Sequence, residues 1–198
     1  MQDTRRLIGK IALVGGKINL NKATVQFKGV DIMIPKIVKI LYATDLSINS
    51  AYAFRYALNT AEKHDAQIDM IYVFETQPIS GELILVEDTV KKAEQAAKDA
   101  NIRRIKERLE VIVKKELQDK PAVMDRVSSI QVVAGDPTVE ILKKAAELKS
   151  DILVIGTHSK GFVEHAFLGS VAQRLLQRIK IPVFIIPIPK KTDIAFNN

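Results

Sequence analysis

The sequence predicts an α/β protein built on a parallel sheet with helices on both faces. Three observations predict it. Short β-branched apolar runs alternate with stretches of helical periodicity from Ile37 onward, as successive βα units require. The segment Asp151 to Gly156 is a near-continuous apolar run, which suits a strand covered on both faces. Polar segments follow the first and fourth strands, the second of them glycine-bearing, and parallel sheets bind ligands beyond the carboxyl ends of their strands.

Each element has its own warrant. Residues 37–44, IVKILYAT, form the first strand, ending at a polar turn. Ala51, Phe54, Ala57, Leu58 and Ala61 recur at helical spacing and predict a helix over 49–64. Ile68 to Phe74 is the second strand, and 76–86 is a loop marked by Pro78 and Gly81 with an apolar tail, Leu83 to Val86. Residues 87–117 form a long helix whose apolar stripe includes Val90, Ala93, Ala97, Ile105, Leu109 and Ile112. Its dense Lys, Arg and Glu face reads as solvated. Ser129 to Ala134 is the third strand. In Gly135-Asp136-Pro137, Asp at the N-cap and Pro at the first helical position open a helix to about Leu148. That helix is expected to bury Val139, Ile141, Leu142, Ala145 and Leu148. The fourth strand, 151–156, leads through a long loop to a helix from Gly169-Ser170 to about Ile179. Ile181 to Ile188 is the last strand, placed at an edge because Pro182 and Pro187 cannot donate to a ladder.

Composition narrows the function classes. Hydrophobic residues at 47% and charged residues at 27% describe a globular chain and not a disordered one. The chain has no cysteine, which excludes disulfides and thiolate chemistry and points to a reducing, cytoplasmic home. No apolar run reaches the roughly 18–20 residues of a membrane helix. Arg5-Arg6 loosely resembles a twin-arginine export signal, but the apolar run behind it is short and Lys17 interrupts it. The net charge of +7 is uneven: residues 1–36 carry seven bases and two acids, a net of +5, and the rest is near neutral. Nucleic-acid binding by the main body is therefore not expected. Residues 1–36 read as a basic extension or arm with hairpin signals, 37–189 as the main domain and 190–198 as a tail. Met33 stands just before the first strand, so residues 1–32 are expected to be an upstream extension.

The candidate site lies after strands one and four. Asp45 ends the first strand and can reach a ribose hydroxyl or a metal-bound phosphate; equally, Asp45 or Ser47 can cap the following helix. Gly156 and Gly161 let backbone approach a ligand. Gly169-Ser170 opens a helix, where free N–H groups favour an anion. An ordinary surface loop with turn glycines is the plain alternative. No Gly-Lys-Ser/Thr stands at Walker A spacing. His158 and Lys160 are phosphate candidates or simply solvated; His64 and His165 read as surface residues. No catalytic triad, paired carboxylates or positioned general base can be assembled.

These residues carry a resemblance. Gly156, two residues, Ser159, nine residues, Gly169-Ser170 resembles the ATP-binding loop of the universal stress protein family, with serine in place of the second glycine. KILYATDLS at 39–47, Val73, Gly135-Asp136-Pro137 and IPVFIIP at 181–187 are similar to other family features. The resemblance covers about 37–189. It implies a five-stranded parallel sheet in the order 3-2-1-4-5. It implies that Ala43 and Val73 line an adenine pocket, that Asp45 sits by the nucleotide or its Mg2+, and that Ile155 and Gly156 flank the adenosine. It places His158 and Ser159 over the phosphates, with Gly161 nearby, and has Gly169, Ser170 and Val171 present a helix start to them. It implies Mg-ATP as ligand and a homodimer through 181–188. The function expected is a stress-response switch for a protein partner, with ATP hydrolysis slow at most. A nucleotide-free interaction module and a slow ATP hydrolase are the alternatives.

Overall fold

The computed structural model describes residues 16–19, 24–27, 30–33, 35–47, 50–75, 88–118, 121–157 and 168–188. The chain divides into two compact units, Met1–Lys36 and Ile37–Asn198. In the first unit, β1 (Gly16–Asn19), β2 (Thr24–Phe27) and β3 (Val30–Met33) form an antiparallel meander in chain order. The hairpin signals of the sequence thus correspond to three short strands; Ile11 to Val14 lie outside the described residues.

The second unit contains β4 (Lys39–Thr44), α1 (Ser50–His64), β5 (Gln67–Phe74), α2 (Asp88–Leu117), β6 (Val127–Ala134), α3 (Pro137–Glu147), β7 (Ile152–Gly156), α4 (Ser170–Leu176) and β8 (Val183–Ile186). Its five strands are parallel in the order β6-β5-β4-β7-β8, the 3-2-1-4-5 arrangement expected. Alternation along each strand sorts the core into two layers. Ile40, Tyr42, Ile68, Met70, Ile152 and Val154 meet α1 and the C-terminal half of α2. Leu41, Ile71, Leu153 and Ile155 meet α3 and α4. The alanines of α1 bring its axis close to the sheet, and the Phe54 ring stacks on Tyr42 with centroids 5.4 Å apart.

Several expectations need correction. In α2 the buried stripe is Leu109, Val113 and Leu117, a pure i,i+4 series, with Ile105 packed beside it. Ala97 is exposed and Ile112 half-buried, and no described residue of α2 before Leu109 is buried. Val90 and Ala93 have no described side chains. In α3 Val139 is 48% exposed. Pro137, Thr138, Ile141 and Ala145 form the buried face, and Val139 lies two residues from Ile141, about 200° round the helix. β6 starts at Val127, because a bulge lets Val127 pair with Ile68 and Ser129 with Asp69. α4 stops at Leu176 and closes with a turn in which Ile179 N–H donates to the Leu175 carbonyl at 2.9 Å. β8 spans only Val183–Ile186, since Pro182 and Pro187 bound its pairing; it stands at the sheet edge as expected. The 76–86 loop lies outside the described residues.

Candidate functional site at the strand-order reversal

β4 is the first strand and lies at the middle of the sheet, with β7 at its side. The chain leaves β4 for α1 on one face and leaves β7 for α4 on the other. Between these diverging connections lies a cleft of about 580 Å³, the crevice that such topology creates. Ala43, Asp45, Val73, Ile155, Gly156, Gly169, Ser170 and Val171 all line it. His158, Ser159 and Gly161 lie outside the described residues, as do Lys160 and His165. His64 is exposed at the end of α1.

The turn after β4 holds the charged group. Leu46 adopts a left-handed backbone, φ 58°, a conformation that disfavours a branched side chain by roughly 1–2 kcal/mol. Two local hydrogen bonds and the packing of Leu46 on the core hold it there. Leu46 N–H donates to Thr44 Oγ1 at 3.3 Å, and Ser47 N–H donates to Asp45 Oδ1 at 2.9 Å. Asp45 therefore forms a turn of its own and does not cap α1. The first turn of α1 instead uses the Ser47 carbonyl, which accepts from Ser50 N–H at 3.0 Å and Ser50 Oγ at 2.7 Å. The second carboxylate oxygen, Asp45 Oδ2, is buried without any hydrogen-bond partner among the described residues. Beneath it, Tyr42 OH donates to the Ser50 carbonyl at 2.7 Å, and burial pushes the phenol well above its ordinary range. Tyr42 therefore stays neutral and fixes the end of α1 on the floor of the cleft.

The opposite wall is tied together by Thr157. Its carbonyl accepts from Gly169 N–H at 3.0 Å, its N–H donates to the Ile186 carbonyl at 3.0 Å, and its Oγ1 accepts from Ile188 N–H at 3.1 Å. One residue thus joins the ends of β7 and β8 and the start of α4. Gly169 is the N-cap of α4 with φ −66° and ψ 159°, a backbone any residue can adopt. It has no side chain to cap the first-turn N–H groups, and Ser170 and Val171 of that turn line the cleft. Gly156 has a packing role that its sequence context did not reveal. A Cβ there would sit 3.1 Å from Ile188 Cδ1, so the glycine admits Ile188 to the cleft wall. At the α3 end, Asp136 Oδ1 caps Val139 N–H at 3.0 Å and Oδ2 pairs with Arg174 Nη1 at 3.0 Å, locking α3 to α4 beside the site.

Sequence reasoning missed Thr44, Ser47, Pro137, Ile141, Thr157 and Ile188 as lining residues. The polar residues immediately after β4 and β7 carried a usable signal, since they stand at carboxyl strand ends. Pro137, Ile141 and Ile188 carried none, because tertiary packing alone brings them to the cleft.

Fold and cleft define a doubly wound parallel α/β protein with a crevice where the strand order reverses. The chain belongs to the universal stress protein family, whose family model matches residues 36–187. Universal stress protein MJ0531 of Methanocaldococcus jannaschii is 30% identical over 153 residues, covering 77% of this chain and 84% of that protein. Universal stress protein MJ0577 of the same organism is 28% identical over 156 residues, covering 75% and 93%. The solved structure of MJ0577 superposes with a TM-score of 0.62 at 26% identity, covering 79% of this chain and all of that one. A universal stress protein solved in complex with cAMP shares the fold, with a TM-score of 0.50 at 20% identity, covering 78% of this chain and all of that one. Among the described residues no helix is long and apolar enough to cross a membrane.

Proposed function

We propose that the cleft binds an adenine nucleotide, ATP with Mg2+, and that occupancy switches a surface read by a protein partner in the cytoplasm. The observation that carries this reading is the buried Asp45 Oδ2 at the strand-order reversal, which has no hydrogen-bond partner among the described residues. A buried carboxylate oxygen without a donor is unfavourable by itself, and a ribose hydroxyl or a nucleotide-borne cation would satisfy it. Ala43, Val73 and Ile155 supply an apolar slot of the kind a purine ring fills, and the uncapped first turn at Gly169-Ser170 offers N–H donors. No cluster of three metal-ligating side chains exists among the described residues. One hard carboxylate oxygen suits Mg2+, which takes one or two carboxylates and fills its other positions from phosphates and water. His158, Ser159 and Gly161 belong to the proposal by their place in the sequence motif. The related protein solved with cAMP supports an adenine nucleotide as the ligand class. A homodimer through β8 also belongs to this reading.

The test is nucleotide release. Protein purified without added nucleotide and then denatured should yield adenine nucleotide, and the emptied protein should bind Mg-ATP saturably in a calorimetric titration. Gly169→Arg should abolish binding. Asp45→Asn retains the Oδ1 turn but not the charge, so it should weaken Mg-ATP by about tenfold and Mg-free ATP by less. An empty protein that binds no nucleotide overturns the reading. Ser159 at the motif's second glycine position favours one alternative, an interaction module of the same fold without nucleotide, and that outcome would select it.

A further inference from the structure

We propose that the outer edge of β6, with the groove between β6 and α2, is a docking site for an extended acidic segment of a partner protein, which adds as a further strand. The two edges of the five-stranded sheet differ. β8 is four residues long and bounded by Pro182 and Pro187. β6 is eight residues long, VSSIQVVA, without a charge or a proline. Not one of its residues is buried, and among the described residues no strand pairs with its outer side. Charges, prolines and short length are the usual protections of an edge, and β6 has none of them. Its bulge is confined to its start, so Ser129–Ala134 runs in regular register against Asp69–Phe74. A straight ladder edge with unpaired N–H and C=O groups is the template that strand addition uses.

The chemistry of the groove selects the occupant. It encloses about 1010 Å³ at the amino end of β6, away from the cleft at the carboxyl ends of the strands. Val113, Leu117 and Ile130 line it together with three lysines, Lys106, Lys114 and Lys115, against one acid, Glu110. None of the ion pairs among the described residues uses these lysines. A strand presents alternate side chains to opposite faces, so an arriving segment with an acid at every second position can set its acids on the α2 face of the sheet, beside the lysines. A second copy of this chain is a poor occupant, because two-fold pairing of β6 edges would bring like-charged grooves together.

The probe is a fluorescein-labelled peptide of alternating valine and glutamate, titrated against the full chain by fluorescence anisotropy. Saturable binding is expected. It should weaken by about tenfold when lysine replaces glutamate in the peptide, and equally in the Lys106→Glu/Lys114→Glu protein. Both substitutions lie on the solvated side of α2, and an unchanged circular dichroism spectrum would establish that the variant is folded. A peptide with two adjacent central prolines cannot complete a ladder on either side and should lose binding. The proposal is overturned by absence of saturable binding, by equal binding of the acidic and basic peptides, by full binding to the double variant, or by full binding of the proline peptide. Self-association that Ile130→Lys abolishes would assign the edge to a second copy and overturn it too.

Discussion

At the scale of single residues, function and stability are carried by different atoms of neighbouring side chains. Asp45 uses Oδ1 in its own turn, and its Oδ2 has no hydrogen-bond partner among the described residues. Tyr42 and Phe54, directly below, are almost completely buried. Phe54→Ala should lower stability by about 4 kcal/mol, measured by urea denaturation, because it removes the ring stacked on Tyr42. Thr157→Val keeps both backbone hydrogen bonds of Thr157 but deletes the acceptor of Ile188 N–H. It should lower stability by about 1 kcal/mol and also weaken Mg-ATP, whereas a threonine that merely fills space would leave affinity unchanged. Ser159→Gly restores the motif glycine. It should tighten Mg-ATP by up to about tenfold if that position needs the left-handed backbone, whose strain is roughly 1–2 kcal/mol; unchanged affinity would mean that it does not. Asp45, Gly156 and Gly169-Ser170 were legible in the sequence because they stand at a strand end or open a helix, whereas Ala43, Val73 and Ile155, inside strands, were implied only by the family resemblance. The split of Asp45 into a turn-bonded Oδ1 and an Oδ2 without a partner among the described residues was not legible, because it depends on which way Leu46 turns.

At the scale of elements, local chemistry was readable and the choice of buried face was not. The start of α3 was legible because an N-cap is a contact between residues three apart: Asp136 Oδ1 does accept from Val139 N–H. The exposure of Val139 was not, since the face that α3 buries is chosen by β5, β7 and α4. Of the long stripe proposed for α2, Leu109 is buried and Ile105 packs beside it, while Ala97 is exposed, because among the described residues it is the second half of the helix that meets the core. The Asp136 cap carries a pH dependence. The Val139 amide, and with it the Arg174 guanidinium, hold its carboxyl below the usual range. A lowered folded-state pKa adds stability above the unfolded value, and that stability is lost as pH falls through the folded value. Thermal melts should therefore decline below about pH 4, and Asp136→Asn should flatten that decline. A variant with the acid limb of the wild type would place the sensitivity in another carboxylate.

At the scale of the whole molecule, the division at Lys36 and Ile37 separates charge as well as structure: seven bases and two acids before it, a net of +5, against +2 after it. Of the described residues, those in both core layers come from Ile37 onward. Phe184 is 44% exposed on the edge strand β8, so the proposed homodimer through that strand should be lost on Phe184→Asp, read by sedimentation equilibrium; a dimer that persists would place the interface elsewhere. The two units should also differ in autonomy. Chains below about 40 residues rarely hold a core without metals, disulfides or oligomerisation, and the first unit has 36 residues and no cysteine. A peptide of residues 1–36 should show no cooperative melt. A chain of residues 37–198 should unfold cooperatively near the urea midpoint of the full protein and bind Mg-ATP with the same affinity. If 37–198 instead aggregates or loses its transition, the second unit does not fold on its own.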